Sequence, residues 1–559
     1  MNNQREKGFS SSRIHPYTFK GEVERKVYVV GDLHLSEGRD VMTRKFSKNE
    51  DFFFDEEFSD FVTFILQHAQ EQNYKFDLII NGDLLDFPQV ISPVYDENRK
   101  IINYQGYYSG FGPDTSEFNS VLKLRKVMQG HVIFFRSLAK IIEQGHRIVI
   151  ITGNHDIEFQ YSDVRKAFKA EIMKYIEDSS RNENIIFQRC FHIDNGVYIE
   201  HGSQYDKYNS FVNFLAPYVI KRFNRVRLEM SFGSYFVKYV LNRIEHRFPF
   251  ADNFKKRSSF INWLFIHHPL QALLIQRHYI YLSLIIFFGK ILPYFFFWKH
   301  RGRQRAAELN QLKWKQCGDE YNLSSDQIKK LHSLHKMPIF EYARITGKYL
   351  YYCTTALVLL YIFGWWQMDI SGIIINYFAK EEIMIGSRER IAVFTVSTIG
   401  FLVLIPLVIY FGGRFIEYLS RQLRNFYVFL LNAFPYRIRK RYHSKFYQYP
   451  VKAAHLSKVV KRISQILNDR AIKYVILSHY HDADIIRLED GKYQYLNTGT
   501  WTKVFCDQED RLLREDRQFS LVQVIYQKGS SEPRAFLQEW KPEENRLDLI
   551  RIFETEMRT

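Results

Sequence analysis

Short runs of β-branched and other apolar residues, each stopping abruptly at a polar cluster, recur along this chain. Lys26-Val27-Tyr28-Val29-Val30, Phe76-Asp77-Leu78-Ile79-Ile80 and Arg147-Ile148-Val149-Ile150-Ile151 are of this kind. Apolar character on both faces predicts buried parallel strands. They run into Gly31-Asp32-Leu33-His34, Asn81-Gly82-Asp83 and Thr152-Gly153-Asn154-His155-Asp156. In open α/β sheets the carboxyl ends of strands are where sites assemble, so three such ends predict one site built from several strand tips. Between the runs, apolar residues at helical spacing over Phe52–Gln72 and Val121–Gln144 predict crossover helices, and Glu22–Asp206 reads as a βαβ architecture. Asn184–Gln188 and Gly196–Glu200 read as further strands, the second leading into His201-Gly202. Pro88–Phe118 has no clear period and is long for a connector. It is expected to form a substrate-side loop, the alternative being an ordered surface excursion.

After Asp206 the pattern changes. Phe211–Arg277 is basic, aromatic and helix-like, and is expected to lie against a membrane or cover the site; a solvated basic insert is the plainer alternative. Tyr349–Trp366 and Ile391–Gly413 carry no charged residue and are long enough to span hydrocarbon. Tyr279–Trp298 is interrupted by Lys290, a costly charge inside a bilayer, and is expected to stay in the interface or within the protein. From Ala471 the strand grammar returns. Tyr474-Val475-Ile476-Leu477 runs into Ser478-His479-Tyr480-His481, and Lys492–Leu496 into Asn497-Thr498-Gly499-Thr500-Trp501. Phe519–Phe553 has strand-like pieces that would complete a sheet edge.

If the early and late strand tips build one site, an even number of crossings must separate them, and two spans, 349–366 and 391–413, satisfy this. The flanks Lys299–Gly347 and Arg414–Lys445 are basic while Gln367–Arg390 is balanced, which places both catalytic halves in the cytoplasm. The expectation is therefore a multi-pass integral membrane protein with a cytoplasmic catalytic domain. A buried helical hairpin in a soluble protein is the alternative. The segments are a first domain part at 22–206, a basic helical insert at 207–278, a membrane region at 279–413, a basic amphipathic helical segment at 414–470 and a second domain part at 471–559.

Composition narrows the partners. Lys and Arg number 78 against 61 Asp and Glu, a net charge of +17, which suits an anionic membrane, phosphorylated substrates or nucleic acid. Aromatic residues make up 17% and many lie in the middle third beside the apolar stretches, which favours membrane lipids over nucleic acid, so no nucleic-acid partner is expected. The four cysteines, Cys190, Cys317, Cys353 and Cys506, have no paired spacing, arguing against a disulfide framework or a zinc knuckle. Met1–Arg13 is polar, so no cleavable secretory signal is expected.

Taken in order, Asp32 and His34, Asp83, Asn154 and His155, His201, and His479 with His481 resemble the motifs of the calcineurin-like metallophosphoesterase superfamily. The resemblance covers about Glu22–Asp206 and Ala471–Trp501. It implies an α/β fold, a two-sheet sandwich flanked by helices, here interrupted by a helical membrane insert with two transmembrane helices. It also implies a dinuclear metal site in which Asp32, His34, Asp83 and His481 hold one ion and Asp83, Asn154, His201 and His479 the other. His155 would hydrogen-bond the phosphoryl group or protonate the leaving oxygen, and Asp156 would orient His155 or serve a structural role in the turn. Carboxylate, amide and imidazole ligands suit Mn²⁺, with Fe or Zn²⁺ as alternatives, better than a calcium cage. Such a pair lowers the pKa of a bound water, so hydroxide is available to attack phosphorus near neutral pH. The expected activity is hydrolysis of a phosphoester or pyrophosphate bond in a lipid-linked or membrane-proximal substrate. A phosphodiesterase for soluble cyclic or dinucleotide substrates is the runner-up, and a non-catalytic membrane scaffold the rival from another class. Two departures stand out. Ser478-His479-Tyr480-His481 replaces the frequent Gly-His-Thr-His, and His155 stands where the branch that cleaves UDP-diacylglucosamine usually has Arg, which weakens the case for that reaction. Asp86 is expected in a turn or behind the ligands, and His131 as a supporting or surface residue.

Overall fold

The computed structural model describes residues 23–96, 100–102, 104, 111–221, 225–245, 301–341, 450–489, 491–503, 505–508, 511–514, 519–530 and 532–550. Scattered positions between 248 and 284, and 359, 361 and 362, are also described. In chain order the principal elements begin with β1 (Val23–Val30), α1 (Asp55–Glu71), β2 (Lys75–Asn81), α2 (Glu117–Gly130), α3 (Val132–Glu143), β3 (Arg147–Ile151) and α4 (Ser162–Met173). Three strands follow, β4 (Ile185–Gln188), β5 (Phe191–Asp194) and β6 (Val197–Glu200), then the helices α5 (Arg301–Glu320), α6 (Ser325–Ser333) and α7 (Pro450–Ile466). The last strands are β7 (Tyr474–Leu477), β8 (Asp484–Leu488), β9 (Tyr493–Asn497), β10 (Ser520–Gln527), β11 (Arg534–Lys541) and β12 (Arg546–Leu549).

Two sheets carry the fold. The first has the order β12-β11-β10-β1-β2-β3-β4 and the second β8-β9-β7-β6-β5. Within the first, β1 to β4 run parallel, and β10 joins β1 antiparallel, bringing on the C-terminal strands as three of the sheet's seven. Strand periodicity explains why the runs are apolar throughout. Val27, Val29, Ile79, Val149 and Ile151 pack inward against Val197, Ile199, Ile476 and Leu496 of the second sheet. The alternate residues Tyr28, Val30, Leu78 and Ile80 face outward into a helix-covered core with Phe58, Phe61 and Phe134. The outer face of the second sheet is covered in the same way, Trp314, Ile328, Leu331, Val460 and Ile463 joining that core from α5, α6 and α7. The basic flank ahead of the first predicted span is thus, over 301–333, a helical layer of the sandwich.

Several elements differ from expectation. Val121–Gln144, read as one helix, is two, broken at His131 with φ −121° and ψ 45°. The loop after the first strand packs into the break. A Cβ on Gly130 would stand 2.0 Å from the carbonyl oxygen of Glu37, and the Gly130 carbonyl accepts the Arg39 N–H at 3.1 Å. Within the segment read as helix-like, Tyr218–Lys221 and Arg225–Leu228 form an antiparallel hairpin, its end tied by the Leu228 N–H to the Thr115 carbonyl at 3.2 Å. Among the described residues no helix is long and apolar enough to cross a membrane. The predicted spans 349–366 and 391–413, and the stretch 279–298, lie outside the described residues apart from isolated positions, as does 414–449.

Candidate metal centre

Beyond the sheet the ends of β1 and β2 stay paired. Asp32 N–H donates to Gly82 O at 3.3 Å, His34 N–H to Asp83 O at 2.9 Å and Leu35 N–H to Leu84 O at 3.0 Å. Across the sandwich, Ser478 N–H donates to His201 O at 2.9 Å and Thr498 N–H to Leu477 O at 3.0 Å. Five of the residues at these tips have left-handed backbone: Asp32 (φ 52°), His34 (50°), Asp83 (50°), His479 (70°) and His481 (55°). L-residues pay roughly 1–3 kcal/mol for such conformations, and they persist where the surrounding structure over-determines them. Two glycines show how tightly the tips meet. A Cβ on Gly153 would lie 2.1 Å from Asp83 Oδ1, and one on Gly82 (φ +79°) 2.4 Å from His201 Nδ1.

The early and late parts of the chain meet here. The His479 N–H donates to Asp32 Oδ2 at 2.7 Å, and the Nε2 atoms of His34 and His481 are 3.0 Å apart. Ligand atoms of Asp32, His34 and His481 lie within 4.8 Å of one another, as do those of Asp83, His201 and His479. Asp83 Oδ2 lies between the groups, 3.2 Å from His201 Nε2 and 3.9 Å from His34 Nε2. Asn154 Oδ1 is 3.2 Å from the same His201 nitrogen. The seven predicted ligands therefore form one cluster. Most are sealed, with Asp32, Asp83, Asn154 and His201 each 1% exposed or less, while the side chains of His155 and His481 keep 15% and 32% of their exposure and form the open rim.

Residues 25–283 match the family model of the calcineurin-like phosphoesterases. That segment is a calcineurin-like phosphoesterase segment. The chain is accordingly a phosphoester hydrolase. No curated protein and no solved structure matches the chain. The matched segment ends well before His479 and His481, which this phosphoesterase recruits from the other side of its insert.

The donor set fits divalent cations. Asp32 Oδ1 is buried without a hydrogen bond, and burial, reinforced by Asp83, pushes the carboxyl up to about 7 despite the opposing pull of His201 and His34. Such a group lacks a compensating positive charge. The facing imidazoles present two nitrogens to one small space. Burial drives His481 well down, with repulsion from His34 adding to it, and burial also lowers His479. Both are thereby held as neutral rings, the form that ligates a metal. Burial would raise Asp83, but attraction to His201 and His155 takes it well below the carboxylate range. His201, against its own burial, is drawn up to about 9 by Asp83. Oxygen and imidazole ligands of this kind hold divalent transition metals.

One assignment is corrected. Asp156 was expected to orient His155 or to serve the turn, and it does the second: its carboxylate accepts the backbone N–H groups of Gly153 at 2.6 Å and Leu84 at 2.9 Å, bracing the loops beneath the ligands. The carboxylate on the His155 ring is Asp86, whose Oδ2 is 2.7 Å from His155 Nδ1 and 3.3 Å from His34 Nδ1. Although burial raises Asp86, its contacts with His155 and His34 bring it down to about 2. Its place three residues after Asp83 was a visible signal, but nothing local says which way a turn carboxylate points. Asp206, read as a boundary, meets His479 Nε2 at 3.3 Å. A narrow crevice beside Asn154 is walled by Lys123, Glu158, Ser234 and Lys238, so the basic insert reaches the site. Ser478, at the position often glycine, bridges the sheets. Its hydroxyl accepts from Asn81 Nδ2 at 2.9 Å and lies 2.7 Å from Thr498 Oγ1, while Gly31 makes room, since a Cβ there would be 2.3 Å from Ser478 Oγ. Tyr480 is half-buried against the core.

Proposed function

We propose that this metallophosphoesterase hydrolyses a phosphoester or pyrophosphate bond in a lipid-linked or membrane-proximal substrate, using two divalent ions, Mn²⁺ first among them. The observation that carries the reading is the meeting of the two groups, Asp32–His34–His481 and Asp83–His201–His479, with the Asp83 carboxylate between them. Ions bound there would acidify a water and neutralise phosphoryl oxygens. Asp83 and Asn154 orient the donors from one side, and His479 and His481 from the other. His155 occupies the open rim. With Nδ1 oriented by the ionised Asp86, the ring would donate a hydrogen bond or proton to a phosphoryl or leaving oxygen.

Membrane proximity has three supports. The apolar stretches 349–366 and 391–413 are inserted between ligands, so the site stays near whatever they enter. The chain leaves the described fold at α6 and returns at α7, which are neighbours: Gln327 Nε2 donates to the Ile466 carbonyl at 3.2 Å. Exit and return on one layer agree with an even number of crossings. Finally, Leu270, Leu274, Tyr281 and Leu284, at helical spacing in the basic insert and its continuation, are exposed. An apolar helical face flanked by cations suits a bilayer interface.

The purified full chain loaded with Mn²⁺ should hydrolyse a generic aryl phosphate ester, and Asp83→Ala should abolish turnover. Equal turnover in that variant removes the assignment. Phosphate release from extracted lipids set against soluble phosphodiesters separates the substrate classes, and preference for the soluble set overturns the lipid reading.

A further inference from the structure

The turn joining β4 to β5 holds Cys190 on the outer side of the second sheet. Its thiol, a carboxylate oxygen of Glu200 at the end of β6 and a ring nitrogen of His335 just beyond α6 lie within 4.8 Å of one another. Cys190 and Glu200 are 1% and 2% exposed. Because successive strand residues face opposite ways, Glu200 points to this outer side while His201, the next residue, points into the catalytic cluster.

The carboxylate is held as metal-binding carboxylates are held. Glu200 Oε2 accepts from the phenols of Tyr198 at 2.7 Å and Tyr205 at 2.6 Å. Its Oε1 is buried without a hydrogen bond and stands 3.4 Å from His335 Nε2. Outer partners that orient one oxygen and leave the other facing its neighbours are the usual support of a ligating carboxylate. The His335 ring is packed by Tyr205 and Trp314 at centroid distances of 5.6 and 5.7 Å. The chain beyond it is pinned by Lys336 N–H to Gln204 O at 2.7 Å and Ile339 N–H to Lys207 O at 2.8 Å. An ion pair between His335 and Glu200 accounts for two of the three groups and leaves the thiol unexplained.

We propose that Cys190, Glu200 and His335 form a third metal site, separate from the phosphoesterase centre, that takes Zn²⁺. A thiolate and a carboxylate neutralise the dication, so the buried cluster carries no net charge. Thiolate sulfur with imidazole nitrogen selects zinc over Mg²⁺, Ca²⁺ or Mn²⁺. The ion ties the 301–341 layer to the strand end that presents His201.

Cobalt substitution tests this in the full chain, because no predicted ligand of the catalytic cluster contains sulfur. Chelator-stripped protein titrated with Co²⁺ should develop thiolate-to-cobalt charge-transfer absorption. The band should persist in Asp83→Ala and vanish in Cys190→Ser. Zinc analysis should show Cys190→Ser losing about one equivalent per chain, the content of a single mononuclear site. His335→Ala, with a folded far-UV spectrum, should weaken or lose the band and covers the case in which Cys190→Ser fails to fold. No band in the wild type, a band that survives Cys190→Ser, or unchanged zinc content in folded Cys190→Ser overturns the proposal.

Discussion

His131→Gln removes a cation from between two carboxylates. The imidazole is fully buried where α2 gives way to α3, with Nε2 3.2 Å from Glu50 Oε2 and Nδ1 3.1 Å from Asp55 Oδ2. Burial works against its charge, but the attraction of Glu50 and Asp55 prevails and brings His131 up to about 10 from 6.5. Glu50 in turn accepts the backbone N–H groups of Ser36 at 3.2 Å, Gly38 at 2.5 Å, Asp51 at 3.2 Å and Phe52 at 2.9 Å. It therefore holds the loop that follows His34. At roughly 1.4 kcal/mol per pH unit, a rise of this size corresponds to a contribution of about 5 kcal/mol. The folded pKa is the raised one, so the folded chain binds a proton that the unfolded chain has lost. The contribution is complete below pH 6.5, falls as pH rises, and is gone above about 10. Urea unfolding of wild type and His131→Gln, with the same optical signal at pH 7, 8 and 9, should show a stability difference that shrinks by about 1.4 kcal/mol per unit. Curves that stay parallel across this range would refute a protonated His131.

Three further outcomes follow from the centre. Gly153→Ala should lower turnover on the order of 100-fold, the scale of a displacement near 1 Å in a catalytic group, because its Cβ would meet Asp83 Oδ1 at 2.1 Å; wild-type kinetics would show that the loop yields without moving Asp83. Asp86→Asn should reduce kcat by roughly 10- to 100-fold, as loss of an outer partner does at metal sites, and alter the pH profile, since an amide cannot replace the carboxylate shared by His155 and His34. An unchanged kcat and profile would leave His155 without its orienting partner. Ser478→Gly should cost about 1 kcal/mol in urea unfolding and leave metal content intact, because Asn81 Nδ2 keeps the Glu200 carbonyl at 3.0 Å; loss of metal would mean that the hydroxyl does more than join the sheets.

Strands and their tips were readable because a strand buried on both faces must be apolar at every position, so its end stands out where polarity returns. That argument located Asp32, Asp83 and Asn154 without reference to the partners they meet. It does not reach side-chain direction. Asp86 and Asp156 are both carboxylates just past a strand end, and which of them meets the His155 ring follows from how two loops stack. The break at His131 was hidden for a similar reason: helical periodicity continues through Gly130, and the Glu37–Arg39 loop that interrupts it is distant in sequence.

The amino-acid order alone determined the α/β class, the apolar runs that become inner strands, and the kinds of donor available for metals, since these depend on local periodicity and residue chemistry. Tertiary structure alone decided which carboxylate holds His155, that α5 and α6 cover the second sheet, and that His479 reaches the Asp32 carboxylate through its backbone N–H. Those outcomes depend on the register of two sheets packed face to face, which brings together groups hundreds of residues apart and has no local trace.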